Sequence, residues 1–559
     1  MRILFSSGAA MALAGAALIT ACGGSGGAEV SPNDAKLQFN PAAYTTVNIT
    51  VDGVATKVRQ YRIVYVANPI KMATAQANLG GNSTTTLADP YAYQSMIVSV
   101  PEDKVSDQKT ALYFLVNNGG WWASPVATTI SEGAKFVSTS DTDNIGAALK
   151  AGYVVVNVGT RSRGGARADD GRWMGKAPAP VVDAKAAIRY LRLNDSAMPG
   201  SAERIIVTGT SGGGGLTSAV SASGNSSDYL PFLAEVGAAG VVGSGSTATS
   251  TLKDDVFAAV AYCPINNLGN ADAGYEWEYN AVRTVANTGA LGGIAYSAGA
   301  QPAASLAIAS AFPAYVNNLG LKRDDGTLLT DANLRDATQA LIKQELERQI
   351  AKGTAVPSLG GNFVTSRATL VNDWLTLSGT GTNATVANLD YGKFVRYVAA
   401  NQALKTVVAF DAVGVTGNVA ISGETNLFGS PAFQYSNFTD WSWTNNAVKG
   451  DGSGPDDTGL TWSQYLASSS NNLATQLKLI NPLSYLNTAA DSAPYWYVRH
   501  GMVDRDTAFA MQTLLYYALK NDSSIKDVSF KFPYLVGHTG NYDVQEAFGW
   551  IKAKLDANP

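Results

Sequence analysis

Ile205-Ile206-Val207-Thr208-Gly209-Thr210-Ser211-Gly212-Gly213 is the stretch whose reading decides the fold. A β-branched run ends in Gly-Thr-Ser-Gly-Gly, so a strand turns sharply at a serine that sits in a G-x-S-x-G pattern. A serine aimed at a substrate carbonyl needs such a strained strand-to-helix turn. A Cβ two residues to either side would clash, so glycine fills both places. The residue after the serine can give its backbone N–H to a developing oxyanion. A flexible glycine linker is the plain alternative for Gly212 to Gly215. It fits poorly, because the glycines follow a buried-type strand and open into Leu216-Thr217-Ser218-Ala219-Val220-Ser221-Ala222, the start of a helix. No Gly-Lys-Ser/Thr follows, which excludes a phosphate-binding P-loop.

Outward from this turn, apolar runs alternate with helical patterns. Thr110 to Val116, Gly152 to Val158, Phe257 to Tyr262, Tyr495 to Arg499 and Val528 to Val536 read as strands, preceded by Tyr61 to Val66 and Ser95 to Val100. The near-continuous apolar character of several of them predicts strands covered on both faces. Asp183 to Arg192 reads as an amphipathic helix and Asp543 to Leu555 as a closing helix. Strands alternating with helices predict an α/β domain with a mostly parallel sheet. The alternation stops between about Tyr279 and Leu483. That stretch carries helical patterns, such as Asp331 to Ala351, and long Gly/Ser/Thr/Asn-rich loops, such as Lys449 to Gly459, without a second clear sheet pattern. It predicts a large, mainly helical lid at residues 279–483, inserted into a core made of 31–278 and 484–559.

Bulk properties narrow the partners. The 559 residues carry a net charge of −4, with 40 basic against 44 acidic side chains, so no nucleic-acid partner is expected. The N-terminus pairs Arg2 with a short apolar run, Met11 to Ile19, and ends in Ile19-Thr20-Ala21-Cys22 before Gly23-Gly24-Ser25-Gly26-Gly27. This predicts a lipoprotein signal over residues 1–22, lipidation at Cys22 and a Gly/Ser tether over 23–30. An ordinary cleaved signal with a chance cysteine is the alternative. The apolar run is too short to span a membrane, so membrane contact is expected through the lipid alone. Gly23 next to the cysteine suits the outer membrane of a Gram-negative cell. With Cys22 lipidated, Cys263 has no disulfide partner; its apolar surroundings predict a buried strand residue and not a nucleophile.

Only two histidines exist, His500 and His538. The order serine, acid, histidine is that of α/β-hydrolases. His538 lies in Val536-Gly537-His538-Thr539-Gly540-Asn541, after an apolar strand and before the last helix, where a general base belongs. Asp504 follows the strand ending at Arg499 and is the candidate acid that orients the imidazole. Asp506 is its rival on spacing alone. His500 reads as a structural strand-end residue. Asn117-Asn118-Gly119-Gly120-Trp121, after the third strand, predicts Gly120 as an oxyanion donor beside Gly212.

These residues together resemble one family, the bacterial tannases, serine esterases that cleave galloyl esters. The resemblance runs from Tyr153 to about Glu278 and from Lys405 to the C-terminus. It rests on Ala179-Pro180-Val181-Val182-Asp183-Ala184-Lys185-Ala186, Gly209-Thr210-Ser211, Tyr262-Cys263-Pro264-Ile265 with Tyr275-Glu276-Trp277, Ile480-Asn481-Pro482-Leu483-Ser484-Tyr485, and Arg499-His500-Gly501 with Asp504-Arg505-Asp506-Thr507. It implies an α/β-hydrolase fold, the triad Ser211, Asp504 and His538, and a recognition set of Lys405, Glu424 and Asp506 for the three galloyl hydroxyls. It implies no metal and no cofactor. Between Lys405 and Glu424 the chain carries extra residues, Gly414 to Asn418 among them. Fungal relatives tie the acid and base loops with cysteines; here Val503 and Gly537 stand in those places. The expectation is therefore an exported, lipid-anchored esterase acting on a small galloyl or other phenolic ester. A feruloyl-type esterase is the alternative within that class, and a non-catalytic surface-binding lipoprotein the alternative outside it.

Overall fold

The computed structural model describes residues 30–77, 84–283, 300–412, 423–446, 453–468 and 471–559. The expected signal, Cys22 and most of the tether lie outside the described residues, as do Gly414 to Asn418.

One ten-stranded sheet organises the core. Its strands in chain order are β1 (Thr45–Val51), β2 (Val54–Val64), β3 (Ser95–Pro101), β4 (Leu112–Val116), β5 (Lys135–Phe136), β6 (Val154–Val158), β7 (Ile205–Thr210), β8 (Ala258–Tyr262), β9 (Tyr495–Arg499) and β10 (Asp527–Lys531). Across the sheet they run β10-β9-β8-β7-β4-β6-β3-β2-β1-β5. The six from β10 to β6 are mutually parallel, and β3, β2 and β1 continue antiparallel. Alternation along the central strands explains why they are apolar throughout. Leu112, Phe114 and Val116 enter one core, while Tyr113 and Leu115 enter the core on the opposite face. Each fully buried aliphatic side chain contributes about 1.5–3 kcal/mol, and a core of this size stabilises a chain whose Cys263 is unpaired.

The helices that matter for the site are α1 (Ala179–Leu193), α2 (Gly212–Ala222), α3 (Leu268–Tyr279), α4 (Asp331–Ala351), α5 (Phe509–Asn521) and α6 (Val544–Asp556). The α4 bounds are those read from the pattern. Four expectations need correction. First, the helix read as amphipathic over Asp183 to Arg192 is α1, and it has no exposed polar face as far as Leu191. Residues Ala179 to Leu191 are all buried, and its charges find buried partners from elsewhere: Asp183 pairs with Arg161, and Lys185 and Arg189 with Asp254. Second, the last strand stops at Lys531, because Pro533 has no N–H for a ladder. Third, the insertion holds small sheets: Asn362–Val364 pairs with Thr369–Val371, and Leu375–Ser378 with Thr385–Leu389. Fourth, Pro455–Thr458 in the expected loop is helical, while 447–452 lie outside the described residues. Helices still dominate the described insertion, and none of its described strands joins the main sheet.

Register then places the chemistry. Tyr262 pairs with Thr210 on one side and with Arg499 on the other, so β7, β8 and β9 end level. The next residues, Ser211, Cys263 and His500, therefore emerge side by side at the carboxyl edge of the sheet, where parallel α/β sheets bind ligands.

Candidate active site

Ser211 sits between β7 and α2 with φ +61° and ψ −122°, a conformation costly for a residue with a Cβ. Backbone contacts hold it there: its N–H donates to Tyr262 O at 2.9 Å, and its own carbonyl accepts from Ile265 N at 3.0 Å. The flanking glycines are sterically required. A Cβ on Gly209 would lie 2.4 Å from Gly213 O, and one on Gly213 would lie 2.8 Å from Val116 O. Gly212 is tighter still, since its Cβ would fall 2.0 Å from Trp121 N. The turn 118–121 thus packs directly on the start of α2, and Gly120 within it has φ +59°. This brings the two expected oxyanion donors, Gly120 and Gly212, to one place.

His538 comes from the loop after β10. Its Nε2 lies 2.8 Å from Ser211 Oγ, and its Nδ1 lies 2.8 Å from Asp504 Oδ2. Asp504 is completely buried and its Oδ1 accepts the Asp506 N–H at 2.8 Å. Burial works against the Asp504 carboxylate, but His538 and His500 outweigh it and bring its pKa down to about 2. Burial likewise disfavours a charged His538 ring, yet the Asp504 carboxylate wins and holds the imidazole above the usual histidine range. Asp506 is not the residue against the ring: its Oδ2 lies 3.6 Å from His538 Nδ1, farther than Asp504. His500 is buried beside the acid, with Nδ1 3.4 Å from Asp504 Oδ2 and its ring edge-on to Phe509 and Phe532. Cys263 is buried, but it is the first residue beyond β8 and not within it. Its Sγ–H donates to Thr539 O at 3.3 Å, beside the histidine, and burial pushes the thiol up.

The expected recognition residues hang on the same frame. Lys405 follows α3 in space: its N–H donates to Tyr275 Oη at 3.0 Å, and its ammonium lies 4.2 Å from the Phe410 ring. Asp272 of α3 accepts the N–H groups of Ala409, Phe410 and Asp411, so one carboxylate clamps the segment after Lys405. Burial pushes Asp272 up to about 7 although its backbone bonds favour the charged form. The Glu424 N–H donates to Phe410 O at 3.0 Å, which joins the Lys405 and Glu424 segments. The Glu424 carboxylate is buried and faces Arg163 at 3.5 Å.

Arg163 and Asp272 were not singled out from the sequence. The signal for Arg163 was available: a cation five residues beyond Val158, at the carboxyl edge of a buried strand. A cavity of about 970 Å³ opens nearby, lined by Trp173, Lys176, Phe232, Phe433 and Gln476 among others. None of Ser211, Asp504 and His538 lines it, so hydrogen-bond geometry and not cavity size locates the chemistry. Burial brings the Lys176 ammonium in its wall down to about 7.

A serine, an imidazole and a buried carboxylate in hydrogen-bonded series, with Gly120 and Gly212 packed against each other beside the serine, form the arrangement of an acyl-transfer site. The comparisons agree. The family model described as BD-FAE matches residues 104–292. The tannase of Fusobacterium nucleatum is 30% identical, with a TM-score of 0.69 over 93% of this chain and 99% of that one. A tannin acyl hydrolase in complex with 3,4-dihydroxybenzoate is 29% identical, with a TM-score of 0.70 over 93% and 98%. A tannin acyl hydrolase in complex with ethyl gallate is 29% identical, with a TM-score of 0.68 over the same shares. No curated protein matches the chain. With near-complete mutual coverage of the Fusobacterium enzyme and a hydrogen-bonded serine site on the same sheet, the chain belongs to the tannase family of α/β-hydrolases.

Proposed function

We propose that this chain is a serine esterase that hydrolyses galloyl esters. The observation that carries the chemistry is the pair of 2.8 Å contacts from His538 to Ser211 and Asp504. Ser211 Oγ attacks the ester carbonyl carbon while His538 Nε2 takes its proton. The carbonyl oxygen becomes an oxyanion facing the Gly120 and Gly212 N–H groups, each worth about 2.7–4 kcal/mol in comparable sites. Collapse breaks the ester C–O bond, and the imidazolium returns the proton to the departing alcohol. Water, deprotonated by the same nitrogen, then releases the acid from Ser211. Asp504 keeps Nδ1–H directed toward itself and stabilises the imidazolium.

The substrate class is supported by the relatives, whose structures hold ethyl gallate and 3,4-dihydroxybenzoate. In this reading Lys405, Glu424 and Asp506 receive the phenolic hydroxyls. A pocket built to bond hydroxyls rejects rings lacking them, because its own buried polar groups are then left unpaired. The test is a panel of methyl gallate, methyl ferulate and methyl benzoate on the parent, Ser211→Ala and Asp506→Ala. Gallate should be preferred, Ser211→Ala should be inert, and Asp506→Ala should lose most of the preference. Turnover of methyl gallate by Ser211→Ala at the parent rate would refute the assignment, and a preference for ferulate would favour the feruloyl reading. The anchor at Cys22 remains part of the proposal and is supported by Ile19-Thr20-Ala21-Cys22. Mass spectrometry of the exported protein should find a diacylated Cys22, and an unmodified N-terminus elsewhere would dismiss it.

A further inference from the structure

Arg163 touches both sides of the candidate site, and the mechanism above gives it no part. Its side chain is 5% exposed. Its Nε donates to Gly120 O, and its Nη1 donates to Gly423 O. Its Nη2 lies 3.5 Å from Glu424 Oε1, and its guanidinium lies 4.2 Å from the centre of the Trp122 ring. These partners belong to two different parts of the chain. Gly120 and Trp122 come from the core turn that packs on Gly212, whereas Gly423 and Glu424 come from the insertion.

The contacts divide the labour. The bond to Gly120 O fixes the peptide after Gly120, and Trp121 N–H donating to Asn118 O closes the turn from the other end. The loop has little room to relax: a Cβ at Gly120 would lie 3.0 Å from the Trp122 ring and 3.3 Å from Arg163 Nη2. On the other side, the bond to Gly423 O and the facing charge set the position of the Glu424 carboxylate. Only a planar fork with several fixed donors serves two carbonyls and a carboxylate while stacking on an indole; a lysine is a point charge and cannot do all of this.

We propose that Arg163 is a positioning residue that ties recognition of the phenolic ring at Glu424 to the oxyanion donor at Gly120, so that substrate hydroxyls are read out in kcat as well as in KM. This rests on the reading that Gly120 and Glu424 face substrate. A ring that engages Glu424 steadies the guanidinium, and the guanidinium steadies the turn that receives the oxyanion. A ring without hydroxyls forgoes that coupling.

The experiment compares Arg163→Gln and Arg163→Lys with the parent on methyl gallate and methyl benzoate, with Ser211→Ala alongside. Parent activity on methyl gallate with an inert Ser211→Ala tests the esterase reading by itself, so its failure is distinguishable from failure of the tie. Arg163→Gln should lower kcat/KM on methyl gallate about 100-fold, shared between kcat and KM. The ratio of methyl gallate to methyl benzoate turnover should shrink at least about tenfold. Arg163→Lys restores a charge opposite Glu424 without the second carbonyl bond, so KM for methyl gallate should recover while kcat stays low. Two results would overturn the proposal: either variant holding kcat and KM within about threefold of the parent, or equal losses on both esters with the ratio unchanged. Should Arg163→Gln not fold, the split between KM and kcat in Arg163→Lys decides alone.

Discussion

Replacing Asp504 by asparagine tests the proposed mechanism where it is most specific, because the change keeps shape and removes only charge. Beyond His500, which lies 3.4 Å from Oδ2, two closer contacts fix how the asparagine sits. The Asp506 N–H points at Oδ1 from 2.8 Å, so the amide oxygen belongs there. The amide nitrogen then faces His538 Nδ1, which sits 2.8 Å from the other carboxylate oxygen. Two donors cannot share that contact, so the ring must carry its proton on Nε2. That nitrogen faces Ser211 Oγ at 2.8 Å and can no longer accept the serine proton. A wrong tautomer of this kind lowers kcat by about 10⁴ in a comparable triad, or about 5.4 kcal/mol of transition-state stabilisation. KM should hold, since no substrate contact is removed. The pH profile gives a second readout. Burial opposes a charged ring, but the Asp504 carboxylate raises the imidazole above 6.5, and a base is inactive while protonated. Activity of the parent should therefore fall as pH drops through a limb lying above 6.5, and the residual activity of Asp504→Asn should show that limb at lower pH. Gallate release followed from about pH 5 to 10 measures both. An Asp504→Asn protein with more than about a tenth of the parent kcat, or with an unmoved acid limb, would refute the reasoning.

Two further substitutions probe the frame. Gly212→Ala sets a Cβ 2.0 Å from Trp121 N and 2.5 Å from Asn118 O, both backbone atoms, so the 118–121 turn must retreat from α2. With the fold verified by circular dichroism, kcat on methyl gallate should fall about 10²–10³-fold, and a fall under tenfold would remove the turn from the oxyanion site. Asp272→Ala leaves three N–H groups around Phe410 without their acceptor, which should cost about 3 kcal/mol in urea unfolding. KM for methyl gallate should rise with kcat on methyl benzoate little changed, and an unchanged KM would mean that the clamp does not position Lys405.

The elements legible in the chain are those whose neighbours cover them on both faces. Tyr495–Arg499 was readable to the residue, because it lies between two parallel strands and every one of its side chains is buried. The β1–β2 hairpin was partly missed for the opposite reason. Its strands mix exposed and half-buried residues with a few buried ones (Ile49, Val51, Val58, Tyr61), and only the turn at Asp52 and Gly53, both at positive φ, marks it. The strands in the hairpins of the insertion are three to five residues long, too short for an apolar period to show. Helix α1 was read as amphipathic because Asp183, Lys185 and Arg189 are charged. Arg161 and Asp254, which neutralise them, come from other elements, and charge alone does not tell a solvated face from a paired interior.

The site divides along the same physical line. Ser211, Asp504 and His538 were legible because each lies in the segment that follows a core strand, Ser211 directly after β7, Asp504 five residues beyond β9 and His538 seven beyond β10. The glycines around Ser211 were legible because absence of a Cβ is itself a letter in the chain. Lys405 and Glu424 carried no local signal, and although spacing marked Asp506 as a rival acid, the recognition role of all three was reachable through resemblance alone. Arg163 and Asp272 lie further from view. Two of the partners of Arg163 are the carbonyl oxygens of Gly120 and Gly423, 43 and 260 residues away, and the partners of Asp272 are three backbone N–H groups about 138 residues on. Backbone donors and acceptors are the same at nearly every position, so a charge that works through them leaves no complementary residue to find. Residues of this kind become visible only when the fold has brought the backbone to them. That is why the link we infer between recognition and oxyanion stabilisation runs through a side chain whose place past a strand end is legible in the sequence but whose partners are not.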